Sequence, residues 1–198
     1  MLEIRRLHRP GLDALPFVLN GGECVAMRGP SGSGKTLFLR AITDLDPNEG
    51  EVLLDGIARE AISAPLWRRR VTYVAAEPGW WADTVGDHFV NWAAVAWLID
   101  AVLLPQSCQE WPVLRLSTGE RQRLGLVRAL VQAPRVLLLD EPTGALDPDA
   151  TAAVEAMLRA RFAAGMSALW VTHDAAQAAR VAERALEVSG GRVREARL

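Results

Sequence analysis

Several residue types are nearly missing from this chain. Lysine occurs once, at Lys35; the other 21 of its 22 basic residues are arginine. Two cysteines, Cys24 and Cys108, make no disulfide framework and point to a reducing compartment. No long apolar run is present. The longest, Phe89 to Leu104, is broken by Asn91 and Asp100 and falls short of the ~20 residues a membrane-spanning helix needs. The start, Met1-Leu2-Glu3-Ile4-Arg5-Arg6, has no apolar segment of signal-peptide type. There is also no excess of charge. A net charge of −2 gives no electrostatic reason to expect a nucleic-acid partner. No internal repeat or low-complexity linker divides the 198 residues, so a single domain over 1–198 is expected. Half of the residues are hydrophobic and 23% are charged, as in ordinary globular proteins.

The lone lysine is the informative residue. It lies in Gly29-Pro30-Ser31-Gly32-Ser33-Gly34-Lys35-Thr36, which fits the phosphate-loop pattern G-x-x-x-x-G-K-[ST]. An ammonium is a compact charge on a thin stem, whereas a guanidinium is a wide fork. The compact group fits a tight loop and reaches the β- and γ-phosphates of a nucleotide. The glycines let backbone N–H groups converge on phosphate oxygens, and a helix N-terminus adds partial positive charge. Thr36 offers a hydroxyl to Mg²⁺, and Leu37 continues the helix start. The setting agrees, because Cys24 to Met27 reads as a buried strand and Lys35 to Thr43 as a helix.

Further along, Val52 to Gly56 reads as a strand and turn, and Val71 to Val74 as a short strand. Thr84 to about Leu104 reads as mostly helical, and Ser117 to Gln132 as a helix. Val136 to Leu139 is an apolar run suited to a central parallel strand. It ends in Asp140-Glu141. Carboxylates at the carboxyl end of such a strand face the ligand crevice of an open sheet. Asp140 there suits Mg²⁺, and Glu141 suits a general base that polarises water. Asp147 stands as N-cap to a helix opened by Pro148. A last buried strand, Ala168 to Val171, ends at Thr172-His173-Asp174, where His173 can meet a γ-phosphate. Strands alternating with helices make an α/β protein with a mostly parallel sheet. Leu116-Ser117-Thr118-Gly119-Glu120 can be read in two ways. It can bind phosphate at a helix N-terminus, or it can form a capped helix with Glu120 in the box position.

The motifs together resemble the ATP-binding subunit of an ABC transporter, over essentially the whole chain. The order carries the resemblance: phosphate loop, Tyr73-Val74-Ala75-Ala76-Glu77-Pro78, Leu116 to Glu120, Leu137 to Thr143, Ala145-Leu146-Asp147, then Val171 to Asp174. In detail it is similar to small stand-alone ATPase subunits of metal or iron export systems. The resemblance implies a phosphate-loop NTPase of the ABC type. It would have an N-terminal antiparallel β part and a short helical subdomain at about 83–133. It implies that two copies sandwich two ATP molecules head to tail. Lys35, Thr36, Asp140, Glu141 and His173 of one copy would then face Ser117 and Gly119 of the other, with Asp147 in the adjoining loop. A multi-span membrane permease would be the partner, placing the chain on the cytoplasmic face of the membrane. The alternatives are a soluble ABC-type ATPase and a weakly hydrolysing regulatory module.

The chain departs from the family pattern at four points, two of them the Thr118 that replaces a common Gly in the signature and the short stretch from Asp83 to Arg115. Ala76 stands where a Gln usually touches Mg²⁺ and the attacking water, and strand alternation would point Glu77 the other way. The aromatic that usually stacks on adenine is missing from the first strand, where His8 is the candidate. Six of the seven tryptophans fall between Trp67 and Trp111. Trp92 and Trp97 are expected to fill the subdomain core, and Trp80 and Trp81 to lie exposed at a permease groove.

Overall fold

The computed structural model describes residues 1–14 and 16–196. Their strands, in chain order, are β1 (Leu2–Arg9), β2 (Leu12–Ala14), β3 (Phe17–Leu19), β4 (Cys24–Arg28), β5 (Glu49–Leu54), β6 (Ile57–Ala58), β7 (Val71–Val74), β8 (Val136–Asp140), β9 (Ser167–Val171), β10 (Arg184–Ser189) and β11 (Arg192–Ala196). The helices are α1 (Lys35–Ile42), α2 (Ala64–Arg70), α3 (Trp92–Ala101), α4 (Thr118–Leu130), α5 (Pro148–Ala163) and α6 (Ala175–Val181).

One mixed sheet runs in the order β6-β5-β1-β2-β11-β10-β4-β9-β8-β7, with β3 beside β1. From β10 to β7 every pairing is parallel, whereas β1 pairs antiparallel with β2, β3 and β5. The expected α/β fold with a parallel centre and an N-terminal antiparallel part is the observed one.

The parallel centre follows from composition. Every residue of β8 and of β9 is buried, as a strand covered on both faces requires. The pleat then sorts side chains by parity. Leu137 and Leu139 pack with Trp170, Leu124, Val127 and Val154, on the side of α4 and α5. Val136 and Leu138 pack on the opposite face with Phe38, Leu39 and Trp67, on the side of α1 and α2.

Parallel pairing also fixes where the motifs end up. The register sets Asp140 beside Val171 and Val171 beside Met27. The phosphate loop, Asp140-Glu141 and Thr172-His173 therefore leave three neighbouring strands at the same edge. This is the crevice that open α/β sheets use for ligands.

Three sequence expectations change. The segment from Thr84 is not one continuous helix. Only Trp92–Ala101 forms an α-helix, preceded by a single 3₁₀ turn at Gly86–His88. Asn91 caps α3 by accepting from Ala94 N at 3.3 Å, and Thr84 is held by a bridge to Pro112. A good cap placed late in an apolar stretch starts the helix there. Trp97 does not fill a core. It is 53% exposed, with the Arg161 guanidinium 4.5 Å over its ring. Trp92 is half-buried and donates to Gln106. Finally, Ala76 and Glu77 lie beyond the end of β7, so strand alternation does not govern where they point.

Asp46 ties the β1–β2 turn to α1. It accepts from Arg9 at 2.7 Å and from Arg40 at 2.7 and 2.8 Å. Hydrogen bonding from Arg40 lowers its pKa from 3.8 to about 2. A lowered folded-state value stabilises above the unfolded pKa and is lost as pH falls through the folded one. Asp46→Asn should therefore lower the melting temperature near neutral pH. The gap between variant and parent should close as pH falls from about 4 to about 2. Melting curves against pH check this.

Candidate nucleotide site

The phosphate loop turns back between β4 and α1. Gly29 has φ 150°, and a Cβ there would meet Val188 O at 2.2 Å, so only glycine lets the loop leave the sheet. Gly34 precedes α1 with no side chain, and the first turn of α1 carries no acid. The opening N–H groups of that helix are left to an incoming anion. Lys35 is buried, and its Nζ donates to Gly29 O at 2.8 Å and Pro30 O at 2.9 Å. The ammonium is thus held inside the loop it belongs to.

Ser31, Gly32, Gly34, Lys35, Thr36 and Leu37 line a cleft of about 240 Å³ opposite Asp140, Glu141 and His173. Thr36 Oγ1 donates to Asp140 Oδ2 at 2.8 Å. Tyr73 OH donates to the same oxygen at 3.0 Å. Burial, then the Asp140 charge, pushes the Tyr73 phenol up, so it stays a donor. His173 Nε2 lies 2.8 Å from Glu141 Oε1. Glu141 itself has φ 49°, a left-handed conformation unusual for Glu. Such strain persists only where the surroundings impose it. Here Gly144 N donates to Glu141 O at 3.1 Å.

The donor set suits a magnesium ion. No group of three His, Cys, Asp or Glu able to hold a metal occurs among the described residues. Mg²⁺ does not need one, since it is bound through one or two protein oxygens with waters and substrate phosphates. Thr36 and Asp140 supply those oxygens side by side.

Other expected residues lie elsewhere. Gly29, Pro30 and Ser33 belong to the loop but do not line the cleft. Neither do His8, Ser117, Gly119 and Asp147. His8 is half-exposed on β1, its Nδ1 3.8 Å from Asp13. Ser117 forms a full capping box: its Oγ accepts from Glu120 N at 3.3 Å, and Glu120 Oε2 accepts from Ser117 N at 2.8 Å. Asp147 caps α5 by accepting from Ala150 N at 2.8 Å. Gly119 has an internal reason to be glycine, because a Cβ there would meet Ala145 O at 2.9 Å.

Two contributors went unread in the sequence. Tyr73 is one; its signal was being the single tyrosine, on the strand beside β8. Gln122 is the other. Buried in α4, it donates to Ala76 O at 3.1 Å and accepts from Ala145 N at 3.2 Å. It joins the Ala76 loop to the loop after Glu141.

The chain is similar to known proteins. Residues 12–144 match the family model described as ABC transporter. The chain belongs to that family. Protein STAR1 of rice is 37% identical over 187 residues, covering 88% of this chain and 54% of that protein. The chain therefore spans about half the length of that relative. An aliphatic sulfonates import ATP-binding protein of Mycobacterium sp. is 40% identical over 190 residues, covering 92% of this chain and 75% of that one. The probable iron export ATP-binding protein FetA of Escherichia coli is 34% identical, covering 82% of this chain and 78% of that one. A solved ATP-binding cassette, described as a dimer in a post-hydrolysis state with ADP and Pi, superposes with a TM-score of 0.85 at 25% identity. That match covers 100% of this chain and 99% of the other.

Proposed function

We propose that this chain is the ATP-binding and ATP-hydrolysing subunit of a membrane ABC transporter, driven by ATP-dependent head-to-tail dimerisation. The observation that carries the reading is the convergence of Lys35, Thr36, Asp140, Glu141 and His173 on a cleft that Ser117 and Gly119 of the same chain do not line. At about 240 Å³ the cleft is below the ~300 Å³ at which ligand pockets usually begin. A second copy, presenting its Ser117 and Gly119, would supply the missing wall. In this reading Lys35 and the opening N–H groups of α1 hold the phosphates. Thr36 and Asp140 hold Mg²⁺, which when bound offsets charge on the phosphates. Glu141 takes a proton from water, and His173 steadies Glu141 and the γ-phosphate. Asp147 fixes the loop that faces the partner copy. His8 is proposed for the adenine.

The partner would be a multi-span permease. No helix among the described residues is long and apolar enough to cross a membrane; in this reading the permease would provide the pathway. A groove of about 290 Å³ beside β7 is lined by Pro78, Trp81, Gly125 and Arg128, among others. Trp81 is 70% exposed there, and Arg128 stacks 4.5 Å from its ring. Trp and Arg are both residue types enriched at binding hot spots. Relatives named for import and for export match to similar degrees. The permease would then set cargo and direction.

The test is to purify the chain with its candidate permease and measure phosphate release from MgATP. Hydrolysis that rises in the complex supports the reading. ATP turnover with no membrane partner favours a stand-alone ATPase, and binding without turnover favours a regulatory module.

Ala76 specifies the rate. With no amide to touch Mg²⁺ or water, hydrolysis should be slow. Ala76→Gln is expected to raise kcat by ~10–10²-fold, short of the ~10²–10³ attributed to one oxyanion-hole donor. KM should change little, since the contact acts in the transition state. Steady-state kinetics of the two proteins decide it.

A further inference from the structure

The Glu141–His173 contact cannot hold itself in place. Its side chains are 39% and 50% exposed, and ion pairs that wet contribute at most about 1 kcal/mol. Yet the two residues leave different strands and meet at 2.8 Å. Something behind them sets the distance.

Behind them lie three buried polar residues from three segments: Thr143, Glu155 and Gln177, exposed by 8%, 6% and 5%. Thr143 stands two residues past Glu141, in a turn closed by Gly144 N to Glu141 O and Leu146 N to Thr143 O. Gln177 stands on α6, which follows His173 directly and is capped by Asp174 through Ala176 N at 2.8 Å. Glu155 stands on α5. Gln177 Nε2 donates to Thr143 Oγ1 and to Glu155 Oε1, both at 2.9 Å. Glu155 also accepts from Arg180 at 2.9 and 3.2 Å. Burial would raise the Glu155 pKa. Hydrogen bonds from Arg180 and Gln177 outweigh that and hold it below the ordinary value, so it is a charged acceptor at neutral pH.

We propose that Gln177 is a positioning residue that, through Thr143 and Glu155, locks the His173 loop against the Glu141 turn. The inference rests on the hydrolytic reading of Glu141 and His173 given above. The chemistry of the link explains why the residue is an amide. Both contacts are donated, and a Gln NH₂ has two hydrogens to give. A carboxylate at this position could donate neither and would face Glu155 at hydrogen-bonding distance. Buried polar networks hold their shape when every member is satisfied and fail when one is not. Displacement of a catalytic group by about 1 Å can lower turnover ~10²-fold, so a broken link reaches the chemistry without touching the nucleotide.

The test compares kcat and ATP affinity across a small set of variants. Gln177→Glu should lower kcat at least ~10-fold with ATP affinity unchanged. Thr143→Val, which removes one hydrogen bond and little volume, should act the same way more mildly. Adding Glu155→Gln to Gln177→Glu reverses the polarity of the link. The new amide can donate to the new carboxylate, as can the Thr143 hydroxyl, and Arg180 keeps an acid three residues earlier on its own helix. That double variant should recover most of the lost kcat. In a His173→Ala background Gln177→Glu should have little further effect, because both act on one unit. Wild-type kcat in both single variants overturns the proposal. So does a loss confined to ATP affinity, or additive losses with His173→Ala. If Glu141→Gln also leaves turnover intact, the hydrolytic reading itself has failed; if only the Gln177 variants are silent, the positioning role alone has failed.

Discussion

Replacing Glu141 by Gln is expected to lower ATP turnover by ~10²–10⁴-fold, the usual contribution of a positioned general base, while MgATP still binds. The substitution keeps the length and planarity of the side chain and removes its negative charge and its capacity to accept a proton. The rest of the cleft should keep its hydrogen bonds, since those of Lys35 go to Gly29 O and Pro30 O and that of Thr36 to Asp140. The lost interaction belongs to the transition state, so kcat should fall and KM should not rise. Single-turnover phosphate release and equilibrium nucleotide binding on the same preparation separate the two quantities. Turnover at the parent rate would remove Glu141 from this role.

Lys35→Ala is expected to act on binding instead. A hydrogen bond to a charged group contributes about 1.5–3 kcal/mol, so ATP affinity should fall ~10–10²-fold. Lys35→Arg should not restore it. The ammonium is buried between the carbonyls of Gly29 and Pro30, at 2.8 and 2.9 Å. A planar fork cannot enter that space while the loop keeps its turn. This also accounts for the single lysine in an arginine-rich chain. Titration of a fluorescent ATP analogue against the three proteins gives the answer. An arginine variant that binds like the parent would show that charge alone suffices.

How far the sequence carried the account depends on where its information lies. The parallel centre was legible because four apolar residues before Asp140, in a chain alternating strands with helices, suit a strand covered on both faces. The cleft was legible because its residues sit at the ends of such strands, and parallel pairing brings strand ends together. The 84–104 segment misled because apolar composition cannot say where in a run the helix starts; Asn91 decides that. Trp97 misled because its size suggested a core, whereas α3 turns it outward against Arg161. Tyr73 and Gln122 act through contacts that depend on tertiary placement. The Thr143–Gln177–Glu155 link joins positions 34 and 22 residues apart, with no local pattern to announce it. Ser117 shows a different limit. Its cap is formed within one chain, and a cap leaves the hydroxyl at a helix N-terminus, where a phosphate can also be met.

The central claim is that two copies complete each other's sites, and the mass of the Glu141→Gln protein with and without MgATP tests it most directly. The variant should run as a monomer alone and at twice the monomer mass with MgATP. Gly119→Asp is a poor disruptor here, because any side chain at 119 strikes Ala145 O within its own chain. Ser117→Asp is cleaner. Aspartate still serves as an N-cap, but it sets a negative charge against the phosphate of the other copy. Adding it to Glu141→Gln should return the protein to monomer mass, with only a small drop in melting temperature from the Glu120 carboxylate, which lies 2.9 Å from Ser117 Oγ. A protein that stays monomeric with saturating MgATP, or a double variant that still doubles its mass, contradicts the shared-site account.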